Sequence, residues 1–93
     1  MDLSSINKVY FIGIGGIGMS ALANYFLHKN ICVYGYDRES SAITENLTNL
    51  GSNIIYNFND FNVDEFKSDI ENTLVIYTPA ISKQHPLLIK FKE

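Results

Sequence analysis

The chain has 93 residues, seven Lys or Arg against ten Asp or Glu, a net charge of −3 with neutral histidines, and 46% apolar residues. A chain of this length buries about 60 to 65% of its unfolded surface, enough for one core and too little for a multistep enzyme with its own lid and triphosphate site within these residues. The seven basic residues are scattered, which argues against nucleic acid or an anionic membrane as partner, because both are bound through clustered Lys and Arg.

The one thiol, Cys32, has no internal partner, and Met1-Asp2-Leu3-Ser4-Ser5 has neither the charged nor the apolar region of a signal peptide. No apolar run approaches the roughly 20 residues that span a bilayer. The expectation is a soluble chain in a reducing cytoplasm.

Lys8-Val9-Tyr10-Phe11-Ile12 is short, β-branched and aromatic and stops at a glycine, the pattern of a buried parallel strand. A helix is predicted from about Gly16 to His28, with Ile17, Ala21, Leu22, Tyr25 and Phe26 on its apolar face and Lys29-Asn30 closing it. Residues Ile31 to Tyr36 form a second strand, with Cys32 as a small core residue. Asp37-Arg38-Glu39-Ser40 is a polar turn. Ser40 is the expected N-cap of a helix that carries Ile43, Leu47 and Leu50 on one face and stops at Gly51.

Asn53 to Tyr56 is the third strand, and Val63, Phe66 and Ile70 mark a short third helix. Thr73-Leu74-Val75-Ile76-Tyr77 is the fourth strand, and Pro86 suits the first position of a last helix that runs to about Lys92. Strict β-α alternation predicts a Rossmann-like α/β fold, a parallel sheet with helices on both faces in three layers. Ligands of such sheets sit at the carboxyl ends of the strands, where residues 13–18, 36–41 and 78–83 converge.

Gly13-Ile14-Gly15-Gly16-Ile17-Gly18 fits G-x-G-x-x-G between a strand and a helix, and an acid, Asp37, follows nineteen positions after the last glycine. The glycines let the backbone approach a diphosphate. The N–H groups of Gly16, Ile17 and Gly18, with the helix dipole, supply positive potential without a lysine. A glycine-rich turn that only permits close strand–helix packing is the alternative. Asp37 is placed to accept from ribose hydroxyls or a base N–H, or else is an ordinary turn residue. Arg38 would meet a phosphate or solvent, and Tyr36 and Ser41 are weaker neighbours.

Thr78-Pro79-Ala80-Ile81 brings a hydroxyl and main-chain N–H groups to the same edge, or else is a plain strand-to-helix connection; Lys83 and His85 beyond it would touch ligand phosphates or, as the favoured reading, lie at the surface. His28, at a helix C-terminus, reads as a favourable end charge. There is no Cys/His cluster with metal spacing, no nucleophile elbow and no G-x-x-x-x-G-K-[ST] loop in the sequence, so these residues are expected to bind and not to catalyse.

Residues Val9 to Ala23, above all Gly13-Ile14-Gly15-Gly16-Ile17-Gly18-Met19-Ser20, resemble the amino-terminal signature of the Mur ligases, in the form it takes in the UDP-N-acetylmuramate:L-alanine ligases. The likeness continues through Gly35-Tyr36-Asp37, Thr44 to Gly51, Thr78-Pro79-Ala80-Ile81 and His85-Pro86. It implies that residues 1–93 are a single Rossmann-like domain holding the UDP part of UDP-N-acetylmuramic acid, followed in the family by ATP-binding and carboxyl-terminal domains. The full-length enzymes use ATP and Mg to activate the muramoyl carboxylate as an acyl phosphate and join it to L-alanine, a cytoplasmic step of cell-wall peptidoglycan synthesis.

Carried over, the backbone of Gly13 and of Gly15 to Gly18 would hold the diphosphate with help from Thr78, Pro79, Ala80 and Ile81. Asp37, Arg38 and Ser41 would face the uridine, and Ser20 would steady the phosphate loop. Many relatives carry Gly-His where this chain has Asn57-Phe58, a departure that bears on any contact there. The family's first domain also continues with another strand, so the resemblance implies a shortened domain that binds without turnover and has an unpaired sheet edge open to self-association. A nicotinamide-binding domain needs only the glycine motif and the acid, and explains less of the sequence. The related muropeptide-recycling ligases usually differ in the glycine loop. A ligandless interaction domain is the remaining reading.

Overall fold

A computed structural model of the chain describes residues 5–67, 69–78 and 84–92. Four strands alternate with four helices: β1 (Lys8–Ile12), α1 (Ile17–His28), β2 (Cys32–Tyr36), α2 (Ala42–Asn49), β3 (Asn53–Ile55), α3 (Asp64–Lys67), β4 (Thr73–Tyr77) and α4 (Pro86–Lys92). Single 3-10 turns at Phe58–Asp60 and Ile70–Asn72 flank α3. The sheet is parallel throughout in the order β3-β2-β1-β4. This is the expected three-layer α/β arrangement, with the crossover reversing direction beside β1.

β1 is the central strand and is buried on both faces because its side chains alternate between two cores. Val9 and Phe11 join Ile14, Met19, Ala23, Phe26, Val33 and Leu47. Tyr10 and Ile12 point the other way, into a cluster with Tyr36, Phe66, Leu87 and Leu88. Lys8, at the start of the strand, donates from Nζ to the Glu65 carbonyl at 2.8 Å and pairs with Asp69 at 3.2 Å.

The apolar face of α1 differs from the expected one. Of the expected residues Phe26 is buried, joined by Met19 and Ala23, whereas Ile17 is 85% exposed, Leu22 and Tyr25 are about half exposed and Ala21 is exposed. Both sets have helical spacing, so periodicity does not choose between them. The phase is set by the turn into the helix, where buried Ile14 is followed by exposed Gly16 and Ile17. At the other end Asn30 adopts φ 61° and the Ile31 N–H reaches the Phe26 carbonyl at 3.1 Å, a left-handed closure as expected.

The N-cap of α2 is Ser41, not Ser40. Its Oγ accepts the Thr44 N–H at 3.2 Å, and Thr44 Oγ1 accepts the Ser41 N–H at 2.8 Å, a reciprocal capping box. This pairing turns Thr44 and Leu47 inward and leaves Ile43 and Leu50 exposed. Gly51 takes φ +114° beyond the helix. β3 ends at Ile55, one residue short of the expected Tyr56.

The third helix is a single turn. Asn62 Oδ1 caps the Asp64 N–H at 3.0 Å, and the chain then breaks at Asp69, whose carbonyl takes the Asn72 N–H and the Thr73 hydroxyl. Phe66 is buried but Ile70 is nearly half exposed. Cys32 also departs from expectation. As the first residue of β2 it lies at the amino end of the sheet and is exposed. No helix among the described residues is long and apolar enough to cross a membrane.

Candidate functional site

The turn after β1 is fastened to the end of β2. The N–H groups of Gly13 and Ile14 both donate to the Tyr36 carbonyl, at 2.8 and 3.1 Å, and Gly13 has φ +90°, a conformation that glycine adopts at low cost. The side chain of Ile14 is fully buried beneath the turn against Gly35, where a Cβ would stand 2.7 Å from Ile14 Cδ1. Sequence reasoning assigned no role to Gly35, although a glycine inside a strand is itself a sign of close approach.

Asp37 is half-buried directly after β2. Its Oδ2 accepts the Gly15 N–H at 2.7 Å and its Oδ1 is 3.4 Å from the Glu39 N–H. Gly15 is required by that contact, since a Cβ there would meet Asp37 Oδ2 at 2.7 Å and Thr44 Cγ2 at 3.1 Å. The aspartate expected to face a ribose therefore orders the turn with one oxygen.

The expected anion cradle is also narrower than the motif suggests. The Gly16 N–H is not free but closes the turn on the Gly13 carbonyl at 3.2 Å, and the Ser20 N–H is the first to find a helical acceptor, the Gly16 carbonyl at 2.8 Å. Gly16 is the N-cap and has no side chain to offer, so the N–H groups of Ile17, Gly18 and Met19, with no acceptor among the described residues, remain as first-turn donors at the positive end of the helix dipole. A Cβ on Gly18 would meet nothing within 4 Å. Ser20 stands one turn in, and its hydroxyl donates to the Ile17 carbonyl at 2.9 Å within the first turn of α1.

The other expected residues fall unequally around this centre. The Ser41 hydroxyl is engaged as a helix cap, so its oxygen serves α2 first. Arg38 is exposed and makes no ion pair with a described residue. Thr78 is half-buried next to Tyr77, which pairs with Ile12, and this puts it beside Gly13 at the same edge. Pro79, Ala80, Ile81 and Lys83 lie outside the described residues.

His85, expected at the surface, is only partly exposed. Its ring packs against Tyr36 and Phe58 with centroids 5.6 and 5.1 Å away, and Tyr36 and Phe58 are 4.7 Å apart. Its Nδ1 accepts the Leu87 N–H at 3.3 Å at the head of α4, and burial holds its pKa below the ordinary 6.5. The sequence signal for this aromatic wall is Phe58, a ring in the loop directly after β3. His28 is exposed at the end of α1, with Nδ1 2.8 Å from the Asn24 carbonyl oxygen. Among the described residues no group of three or more His, Cys, Asp or Glu could hold a metal ion.

A parallel α/β sheet of order 3-2-1-4, with a glycine turn locked by an aspartate at its carboxyl edge, defines a Rossmann-like fold of the mononucleotide-binding type. Residues 8–93 match the Mur ligase family, catalytic domain, and the chain belongs to that family. It is 45% identical over 92 residues to the UDP-N-acetylmuramate–L-alanine ligase of Parabacteroides distasonis, covering 99% of this chain and 20% of the relative. It is 45% identical over 93 residues to the ligase of the same name from Phocaeicola vulgatus, covering 100% and 20%. The ligase of that name from Flavobacterium psychrophilum is 52% identical over 87 residues, covering 91% and 19%. The chain thus spans about a fifth of the length of these curated relatives.

Proposed function

We propose that residues 1–93 form one Rossmann-like unit that holds the UDP part of UDP-N-acetylmuramic acid in a UDP-N-acetylmuramate–L-alanine ligase. The observation that carries this reading is the glycine turn, with the Ile17 and Gly18 N–H groups unspent among the described residues at a helix head and open space at Gly18 for an approaching anion. The names of the relatives supply the substrate. In this reading the diphosphate lies over Gly15 to Gly18, with Thr78 and the Pro79 to Ile81 segment on its far side. Asp37 uses Oδ2 for the turn and Oδ1 for the uridine, next to Arg38 and Ser41.

ATP, Mg and L-alanine are then bound by parts of the whole protein beyond these residues, and the unit binds its ligand without turning it over. The reaction is placed in the cytoplasm, where the nucleotide substrates are. β4 pairs with β1 on one side, and its other edge is offered to a further strand of the longer protein or, in isolation, to a second copy.

Thermal unfolding with UDP-N-acetylmuramic acid, UDP, NADH and NADPH in parallel tests the proposal. A ligand at 100 times its Kd adds about 2.7 kcal/mol, a shift of several degrees for a chain of this size. A rise with the uridine ligands alone supports the reading. A rise with the nicotinamides alone, or no rise with any of the four, overturns it for this chain.

A further inference from the structure

Three rings meet at the carboxyl edge of the sheet: Tyr36 ends β2, Phe58 opens the turn after β3, and His85 stands just before α4. Tyr36 is 7% exposed, and Phe58 and His85 are half-buried. Their centroids form a nearly regular triangle with sides of 4.7, 5.1 and 5.6 Å, and Phe58 is inclined 37° to Tyr36 and 87° to His85. In such a triangle His85 stands to the side of Phe58. The face of Phe58 turned away from Tyr36 therefore carries no other ring and no ammonium group among the described residues. The turn that presents this ring is itself fastened, since Asn57 Oδ1 accepts the Asn59 N–H at 2.9 Å and the Asn57 carbonyl accepts the Asp60 N–H at 3.0 Å.

His85 adds direction to the wall. Its Nδ1 accepts the Leu87 N–H at 3.3 Å, which leaves the proton of the neutral ring on Nε2. The Nε2–H is a donor of fixed tautomer with no acceptor among the described residues. The wall also adjoins the glycine turn. The Tyr36 carbonyl holds that turn, and the next residue, Asp37, has a second oxygen engaged only by the long 3.4 Å contact from the Glu39 N–H.

We infer that the Phe58–His85 wall selects the nucleobase, an inference that rests on the UDP reading above and names what distinguishes uracil from other bases. The base stacks on the free face of Phe58, and the His85 Nε2–H donates to the carbonyl oxygen at position 4 of the pyrimidine. Uracil offers an acceptor there. Cytosine offers an amino group, which sets donor against donor. Stacking tolerates any base because every base has a π-face, so Phe58 supplies affinity and His85 supplies the difference between bases.

Isothermal titration calorimetry with UDP and CDP, on the chain and on three variants, tests the assignment. The wild-type chain should bind UDP at least about fivefold more tightly than CDP, the worth of one directed hydrogen bond. His85→Phe keeps a ring and loses the donor; it should weaken UDP about three- to tenfold and bring the two Kd values within about twofold of each other. His85→Gln retains an N–H donor and should keep part of the preference. Phe58→Leu should weaken both nucleotides by about five- to a hundredfold and leave their ratio unchanged. Both nucleotides are compared on one preparation, so any loss of folded protein in a variant cancels from the ratio. Equal binding of UDP and CDP by the wild-type chain, an unchanged ratio in His85→Phe, or wild-type affinities in Phe58→Leu would each overturn this inference and leave the UDP reading standing. Failure of the wild-type chain to bind UDP would overturn both.

Discussion

Asp37 Oδ2 takes the Gly15 N–H at 2.7 Å and fills the space that a side chain on residue 15 would need, 2.7 Å from its ideal Cβ. Acid and glycine are thus mutually dependent. Gly15→Ala should expel the carboxylate and lower stability by about 1–3 kcal/mol, the range for a broken part-buried charge-assisted bond. Asp37→Asn keeps an acceptor and should lose less than Asp37→Ala. Urea unfolding of the three variants without ligand orders them.

Gly18 should behave in the opposite way. Space around it is open and the residue sits in the first turn of α1, so Gly18→Ala is expected to leave the ligand-free chain unchanged or up to ~0.5 kcal/mol more stable, by helix propensity. The same variant should weaken UDP binding, because the methyl group stands where the anion approaches. Calorimetry on one preparation reads both, and a destabilised ligand-free variant would show that Gly18 serves packing instead.

The two serines before α2 give a local contrast. Ser41→Ala removes the cap oxygen that accepts the Thr44 N–H and should cost about 1 kcal/mol. Ser40→Ala, on an exposed residue outside the capping box, should fall within about 0.5 kcal/mol of wild type. Chemical denaturation midpoints compare them directly.

His85 links stability to pH. Its folded pKa lies below 6.5 because burial disfavours the charged ring. Between the folded value and 6.5 the unfolded chain binds a proton that the folded chain does not. The contribution is therefore complete above pH 6.5 and is lost as pH falls from there through the lowered folded value. Urea midpoints at pH 7.5 and 5.5 should differ in that direction, and His85→Asn should flatten this part of the profile.

What could be read from the sequence was local. β1, β4 and α4 have their expected limits, and Asn30 and Gly51 close their helices as their short-range patterns indicate. What could not be read depends on partners far along the chain or on a choice between equivalent patterns. The α1 helix is apolar on more than one stripe, so although Phe26 was legible, Met19 and Ala23 could not be told from Ile17, Leu22 and Tyr25 without the sheet beneath. Ser40 and Ser41 are equal as residue types, and only the Thr44 hydroxyl separates them. The Asp37 bond to Gly15 spans 22 positions. The spacing placed the acid beside the turn, but not which of its oxygens was already engaged.

The Tyr36 carbonyl, which receives two N–H groups from the turn, and the Asp37 carboxylate, which receives a third, both come from the segment that follows α1. The glycine turn is therefore shaped by chain that is synthesised and folded after it, and it acquires its geometry when the β1-α1-β2 crossover closes and its loop entropy has been overcome. A peptide ending at His28 would carry the whole glycine signature and none of its anchors. Hydrogen exchange at the Gly13, Ile14 and Gly15 amides should accordingly report the docking of β2 rather than the fraying of α1.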